Sequence, residues 1–195
     1  AIVAASAMPS RAALLALATL SLAVSTAAQS SPQLQRFEFD RPAMGVKFVF
    51  VLYARSQAEA ADAIQRAADR LIELENIFSD YKSNSESMRL VAAQIGQPIQ
   101  ASADLWTLMA VSQKLSQESD GAFDITVGPV TQLWRLARKR NRLPDQEALK
   151  SALKAVGSDG FEMVRPSSVI LKRGGMRLDF GGIAKGFAAD ECLAI

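Results

Sequence analysis

The sequence predicts an α+β fold, with a mostly antiparallel sheet covered by helices on one side. Three observations carry that expectation. Segments dense in Val and Phe are interleaved with Ala-, Leu- and Glu-rich segments of helical period; a glycine turn at Arg173–Gly175 joins two strand-like runs; and the second of those runs feeds a helix through Gly181 and Gly182.

Taken in chain order, Met8 and Arg11 precede an apolar run from Ala12 to Val24, followed by the small residues Ser25, Thr26, Ala27 and Ala28. That run is shorter than a bilayer span and reads as an export signal, with the seven residues before Met8 as an upstream extension. The expected division is a signal segment over 1–28, a linker over 29–43 that begins with QSSPQ, and one domain over 44–195. Export implies a periplasmic protein, and no cysteine stands directly after the apolar run to carry a lipid anchor on the expected mature N-terminus.

Gly45–Tyr53 (GVKFVFVLY) is predicted to be a largely buried strand entered through Met44. Ile64, Ala68, Leu71, Leu74 or Glu75, and Phe78 recur at helical spacing and predict an amphipathic helix of about five turns. FSDYKSNSES then has the composition of a loop. A second helix is expected from Ser102 as N-cap, with Leu105, Leu108, Met109, Ser112 and Leu115 on one face and an end near Gly121. A third follows Pro144 and Asp145, with Leu149, Leu153 and Val156 inward and Gly157 as its C-cap. Val169–Lys172 and Met176–Phe180 are expected to form a hairpin, and Gly181 and Gly182 to open a last helix at Ile183.

Composition narrows the chemistry. The chain has no histidine, which excludes the Ser-His-Asp and Cys-His nucleophile systems and histidine-rich zinc sites. Cys192 is the single cysteine, so no internal disulfide forms. A net charge of +2 argues against nucleic acid as a partner. The bases Arg135, Arg138, Lys139, Arg140 and Arg142 read as a solvated loop or helix face, or as a patch for an anion or acidic partner.

Two stretches are able to carry chemistry. GAFDITVGP (Gly121–Pro129) brings Ala122, Phe123 and Asp124 together where a helix ends; either backbone N–H groups and Phe123 meet a planar or phosphorylated ligand, or Phe123 is core and Asp124 a turn cap. LDFGGIAKG delivers Asp179 into two glycines and a helix start, with Lys185 in the first turn. Such a strand end is suited to an anion, and equally to an ordinary strand-to-helix turn.

Met44 and Gly45, IFSDYKSNSES from Ile77, SDGAFDITVGP from Ser119 followed by Leu133 and Trp134, and LDFGGIAKGFAAD from Leu178 together resemble the ApbE family, the FAD:protein FMN transferases, with the motifs in family order. The resemblance implies an ApbE-like, T-fold-like α+β domain that is incomplete at the C-terminus, 44–195 being its N-terminal portion. It implies a Mg²⁺-dependent enzyme that cleaves FAD, places FMN on a threonine of an exported or membrane flavoprotein of a respiratory complex, and releases AMP. Carried over residue by residue, it makes Met44, Tyr81, Ala122, Phe123, Asp124, Asp179 and Lys185 contacts of FAD. Gly182 would be a magnesium ligand, through its carbonyl oxygen.

The chain departs from the family's pattern in reading MGV at Met44–Val46 where many relatives read MGT. It also reads LWRL at Leu133–Leu136 where they often read LWGF. The Asp and Thr residues that supply most of the family's magnesium site, and its histidine motif, belong to a segment beyond position 195. The chain is therefore expected to bind FAD weakly and to transfer FMN poorly by itself. FAD hydrolysis to FMN and AMP, and non-catalytic FAD binding, are the alternatives.

Overall fold

The structure is a computed structural model that describes residues 33–195. The expected export signal over 1–28, and the linker residues up to 32, lie outside the described residues. By its contacts the chain divides after Leu34, and the unit Gln35–Ile195 carries every element below.

β1 (Gln35–Ala43) and β2 (Val46–Ala54) form an antiparallel hairpin. Met44 and Gly45 make its two-residue turn, at φ 50° and 72°. That is the left-handed backbone which matches the twist of the flanking strands, and glycine is at ease there. Most of the expected linker is thus strand. The signal was present, since Phe37 and Phe39 alternate with Arg36, Glu38 and Asp40. β2 is also less buried than its composition suggests. Phe48 and Phe50 pack toward the core while Val49 and Val51 are each 51% exposed, because helices cover one face of the hairpin.

α1 (Gln57–Phe78) starts at Ser56, whose side chain accepts from the Glu59 N–H. It buries Ile64, Ala67, Leu71, Leu74 and Phe78 over 22 residues, about six turns. Ser79, Asp80, Tyr81 and Lys82 follow, and then α2 (Glu86–Val91), capped by Ser85, takes residues that composition assigned to loop. β3 (Pro98–Gln100) leads into α3 (Ala103–Glu118), with Ser102 as N-cap as expected; Leu115 is 37% exposed, so the buried face ends near Ser112 and Ser116.

A short 3₁₀ turn at Ile125–Val127 opens α4 (Gly128–Arg140). Gly128 and Pro129 read as a turn in the sequence, yet they start this helix. Proline is pre-organised for a first helical turn, and a Cβ on Gly128 would stand 2.5 Å from the Arg177 carbonyl oxygen. Arg138, Lys139 and Arg140 are exposed in its last turn, where cations suit the helix dipole. α5 (Gln146–Leu153) begins at Asp145 but has no fully buried residue, and Leu153 is exposed. Its C-cap is Lys154 rather than Gly157, which instead precedes a second 3₁₀ turn at Ser158–Gly160.

β4 (Phe161–Val164) and β5 (Ser168–Leu171) make the second hairpin, and β3 adds to β5 in the order β3-β5-β4, all antiparallel. The expected hairpin between Val169–Lys172 and Met176–Phe180 is absent. Both edges of β5 are already taken, so no ladder position remains for 176–180. That segment runs extended through the core, burying Met176, Leu178 and Phe180, with the Asp179 N–H donated to the Ile125 carbonyl at 2.7 Å. α6 (Ala184–Leu193) then packs on α1, with Phe187 edge-on to Phe78 at 5.7 Å. The α+β class and the antiparallel sheets stand as the sequence predicts.

Candidate functional site

Between the first hairpin's turn, the end of α1, α4 and the start of α6 lies a cavity of about 540 Å³, within the range of small-molecule sites. Its wall includes Met44, Tyr81, Asp179 and Lys185, four of the residues singled out in the sequence. Glu75, Asp80, Lys82, Arg135 and Gly181 join them.

Each wall residue is held by an identifiable contact. The Met44 N–H, exposed by the tight turn, donates to Glu75 Oε1 at 3.0 Å, and Lys82 Nζ donates to Glu75 Oε2 at 2.6 Å. The Lys82 hydrogen bond holds the Glu75 carboxyl below its usual value; burial opposes it, and the Met44 N–H assists. Asp179 Oδ1 accepts from the Gly181 N–H at 2.8 Å, the short-range turn that an acid before two glycines makes. Lys185 Nζ donates back to the Gly181 carbonyl at 2.8 Å and has no carboxylate partner among the described residues.

Arg135, from the middle of α4, closes the floor. Nη1 bonds Asp80 Oδ2, Nη2 bonds Asp179 Oδ2 at 2.9 Å, and Cζ lies 4.6 Å from the centroid of the Tyr81 ring. The Asp80 and Asp179 side chains are only 11% and 12% exposed. Burial weighs most on this guanidinium and pulls its pKa down. The hydrogen bond and charge of Asp80, with the charge of Asp179, outweigh burial, and the net direction is up. Sequence reading grouped Arg135 with four other bases, as a solvated face or as a patch for an anion or acidic partner. Its signal was the LWRL departure: an arginine one residue after the motif tryptophan, three to seven places before the other four bases.

The second stretch is assembled differently. Asp124 caps the 3₁₀ turn, accepting from the Thr126 N–H at 2.8 Å and the Thr126 hydroxyl at 2.7 Å. That buried hydroxyl in turn accepts from the Gly157 N–H at 2.7 Å. Phe123 packs against the core, Ala122 is exposed, and a Cβ on Gly182 would stand 3.3 Å from Phe123. The two glycine-bearing motifs therefore touch, but Ala122, Phe123, Asp124 and Gly182 do not line the cavity.

The described residues do not by themselves make a magnesium site. Among the described residues no three Asp, Glu, His or Cys side chains converge on a common position. The Gly182 carbonyl is one neutral oxygen, and the Asp179 carboxylate is engaged by Arg135 and Gly181.

A family model described as the ApbE family matches residues 44–195. The chain belongs to the ApbE family. A Treponema pallidum protein named FAD:protein FMN transferase is 30% identical over 153 residues, 75% of this chain and 42% of that protein. A Klebsiella pneumoniae protein of the same name is 26% identical over 156 residues, 80% of this chain and 48% of that protein. The chain thus spans about half the length of the curated relatives it matches.

Solved ApbE structures share the fold. The flavin transferase ApbE from Vibrio cholerae aligns with a TM-score of 0.75 at 20% identity, over 83% of this chain and 53% of that one. The apo Pseudomonas stutzeri flavinyl transferase ApbE aligns at 0.73 and 26% identity, over 83% and 52%. In this ApbE chain the motifs at Met44, Tyr81 and Asp179–Lys185 border one cavity, while the AFD motif braces the turn beneath α4.

Proposed function

We propose that this protein transfers FMN from FAD to a threonine hydroxyl of a target flavoprotein and releases AMP, with Mg²⁺ as the implied cation. The observation that carries the reading is the cavity itself, since residues from three separate family motifs line it. The names of its relatives, FAD:protein FMN transferases, supply the reaction class.

In that reaction the threonine oxygen bonds to the FMN phosphorus. The bond from that phosphorus to the bridging oxygen breaks, AMP departs with the oxygen, and the hydroxyl proton passes to solvent. When bound, magnesium would supply charge neutralisation at the phosphates; among the described residues the resemblance assigns it only the Gly182 carbonyl. The roles assigned here therefore rest on side chains. Tyr81, 78% exposed, offers a ring face for stacking, and Lys185 brings a cation to the cavity wall. The apolar run Ala12–Val24 supports export to the periplasm, where a threonine-bearing flavoprotein of a respiratory membrane complex is the expected target. Among the described residues no helix is long and apolar enough to cross a membrane.

The test incubates the protein with FAD, Mg²⁺ and a threonine-bearing target flavoprotein, and measures covalent flavin fluorescence and AMP. Labelled target and AMP in equal amounts are the expected result, formed slowly by residues 1–195 taken by themselves. Free FMN with AMP would replace the reading with hydrolysis, and bound FAD without turnover would replace it with a binding protein.

A further inference from the structure

The residue that this cavity treats most unusually is Arg135. A guanidinium has five N–H donors. Two of Arg135's are engaged, one by Asp80 and one by Asp179, and the other three have no acceptor among the described residues. The group is also held in place: two carboxylates fix one edge of its plane and the Tyr81 ring covers a face. An arginine so braced, with donors to spare beside a cavity, has lost its rotamer freedom before any ligand arrives.

Charge points the same way. The wall carries three acids, Glu75, Asp80 and Asp179, and three bases, Lys82, Arg135 and Lys185. Lys82 is spent on Glu75, and Lys185 donates to the Gly181 carbonyl. Without Arg135 the wall would be net negative and would present Asp80 and Asp179 directly to the cavity, a surface that repels phosphate. With it, the cavity has a donor set suited to phosphoryl oxygens, which arginine recognises through paired N–H groups.

We infer that Arg135 is a phosphate-binding residue of this cavity, with Asp80 and Asp179 as the positioning residues that hold it. The inference rests on the reading of FAD as the ligand and deepens it. Asp179 then acts on the ligand through Arg135, its own oxygens being occupied by the guanidinium and the Gly181 N–H.

The experiment measures the affinity of the whole chain for FAD, FMN and riboflavin in wild type and in Arg135→Met. A phosphate-binding arginine makes FAD and FMN binding about 10- to 100-fold weaker on removal, and leaves riboflavin, which has no phosphate, within about twofold. Equal losses for all three ligands would overturn the inference by making Arg135 a structural brace, as would no loss for FAD. Should Arg135→Met not fold, Arg135→Lys keeps the charge and one ion pair. It is expected to retain part of the phosphate-dependent gain, and unchanged FAD affinity relative to riboflavin would count against the inference. Failure of wild type to bind FAD sinks the functional reading itself, a separate outcome.

Discussion

Two arginines in this molecule are each gripped by more than one carboxylate, and their surroundings differ in one decisive respect. Arg70 on α1 donates from Nη1 and Nη2 to both oxygens of Asp104 on α3. It also donates from Nε and Nη2 to Glu191 on α6, and from Nη1 to Glu73. Asp104, the leading influence, drives its pKa up despite burial. That guanidinium has its donors committed and ties three helices together. Arg135 bridges Asp80 and Asp179 with only two donors and faces a cavity. Unmet donors, rather than charge or acidic neighbours, distinguish an arginine poised to bind from one that staples a fold.

The largest expected effect falls on the staple. Arg70→Met leaves Asp104 and Glu191 facing each other, and should lower stability by roughly 2–3 kcal/mol, somewhat below the cost of breaking a fully buried pair. Urea denaturation measures it. The ratio of FAD to riboflavin affinity should not change, and a changed ratio would break the contrast between the two arginines.

Asp179→Asn acts on the other cluster, keeping the shape while loosening the hold on Arg135. Stability should fall by about 1 kcal/mol, and FAD should bind about fivefold more weakly with riboflavin unaffected. Isothermal titration of both ligands checks it; intact FAD affinity would make Asp179 a turn cap alone.

The smallest effect concerns the Lys82–Glu75 pair beneath Met44. Glu75 is held below its usual value of 4.5, chiefly by the Lys82 hydrogen bond. A carboxyl depressed on folding adds stability above its unfolded pKa, and that contribution disappears as pH falls through the folded value. Wild type should therefore lose slightly more stability than Lys82→Met between about pH 5 and about pH 3, seen as a difference in denaturation midpoints. Parallel curves would mean that the pair contributes nothing measurable.

What was legible in the sequence follows the range of the interaction. Ser102 and Asp145 announce their helices because a cap needs only the N–H three residues ahead. The α1 stripe is readable because its neighbours recur every three or four positions. Strand β1 was readable from its alternating phenylalanines, and was obscured by the polar run before it. At the site, Met44, Tyr81, Asp179 and Lys185 were found through motif resemblance and do border one cavity. Arg135 and Asp80 were missed. They are 55 residues apart, and a bridge of that span leaves no local pattern.

By itself, then, the sequence determined the α+β class, the capped helices, the family and four residues of the cavity wall. Each is written in local periodicity or in a contiguous motif. Only the tertiary structure decided that β3 and β4 occupy both edges of β5, which sends Met176–Phe180 through the core instead of into a hairpin. It alone turned one of five clustered bases inward, onto two acids 55 and 44 residues away. The physical reason is common to both outcomes. A ladder edge or a guanidinium takes whichever partner the packed chain brings within about 3 Å, and that choice is made among segments distant in sequence.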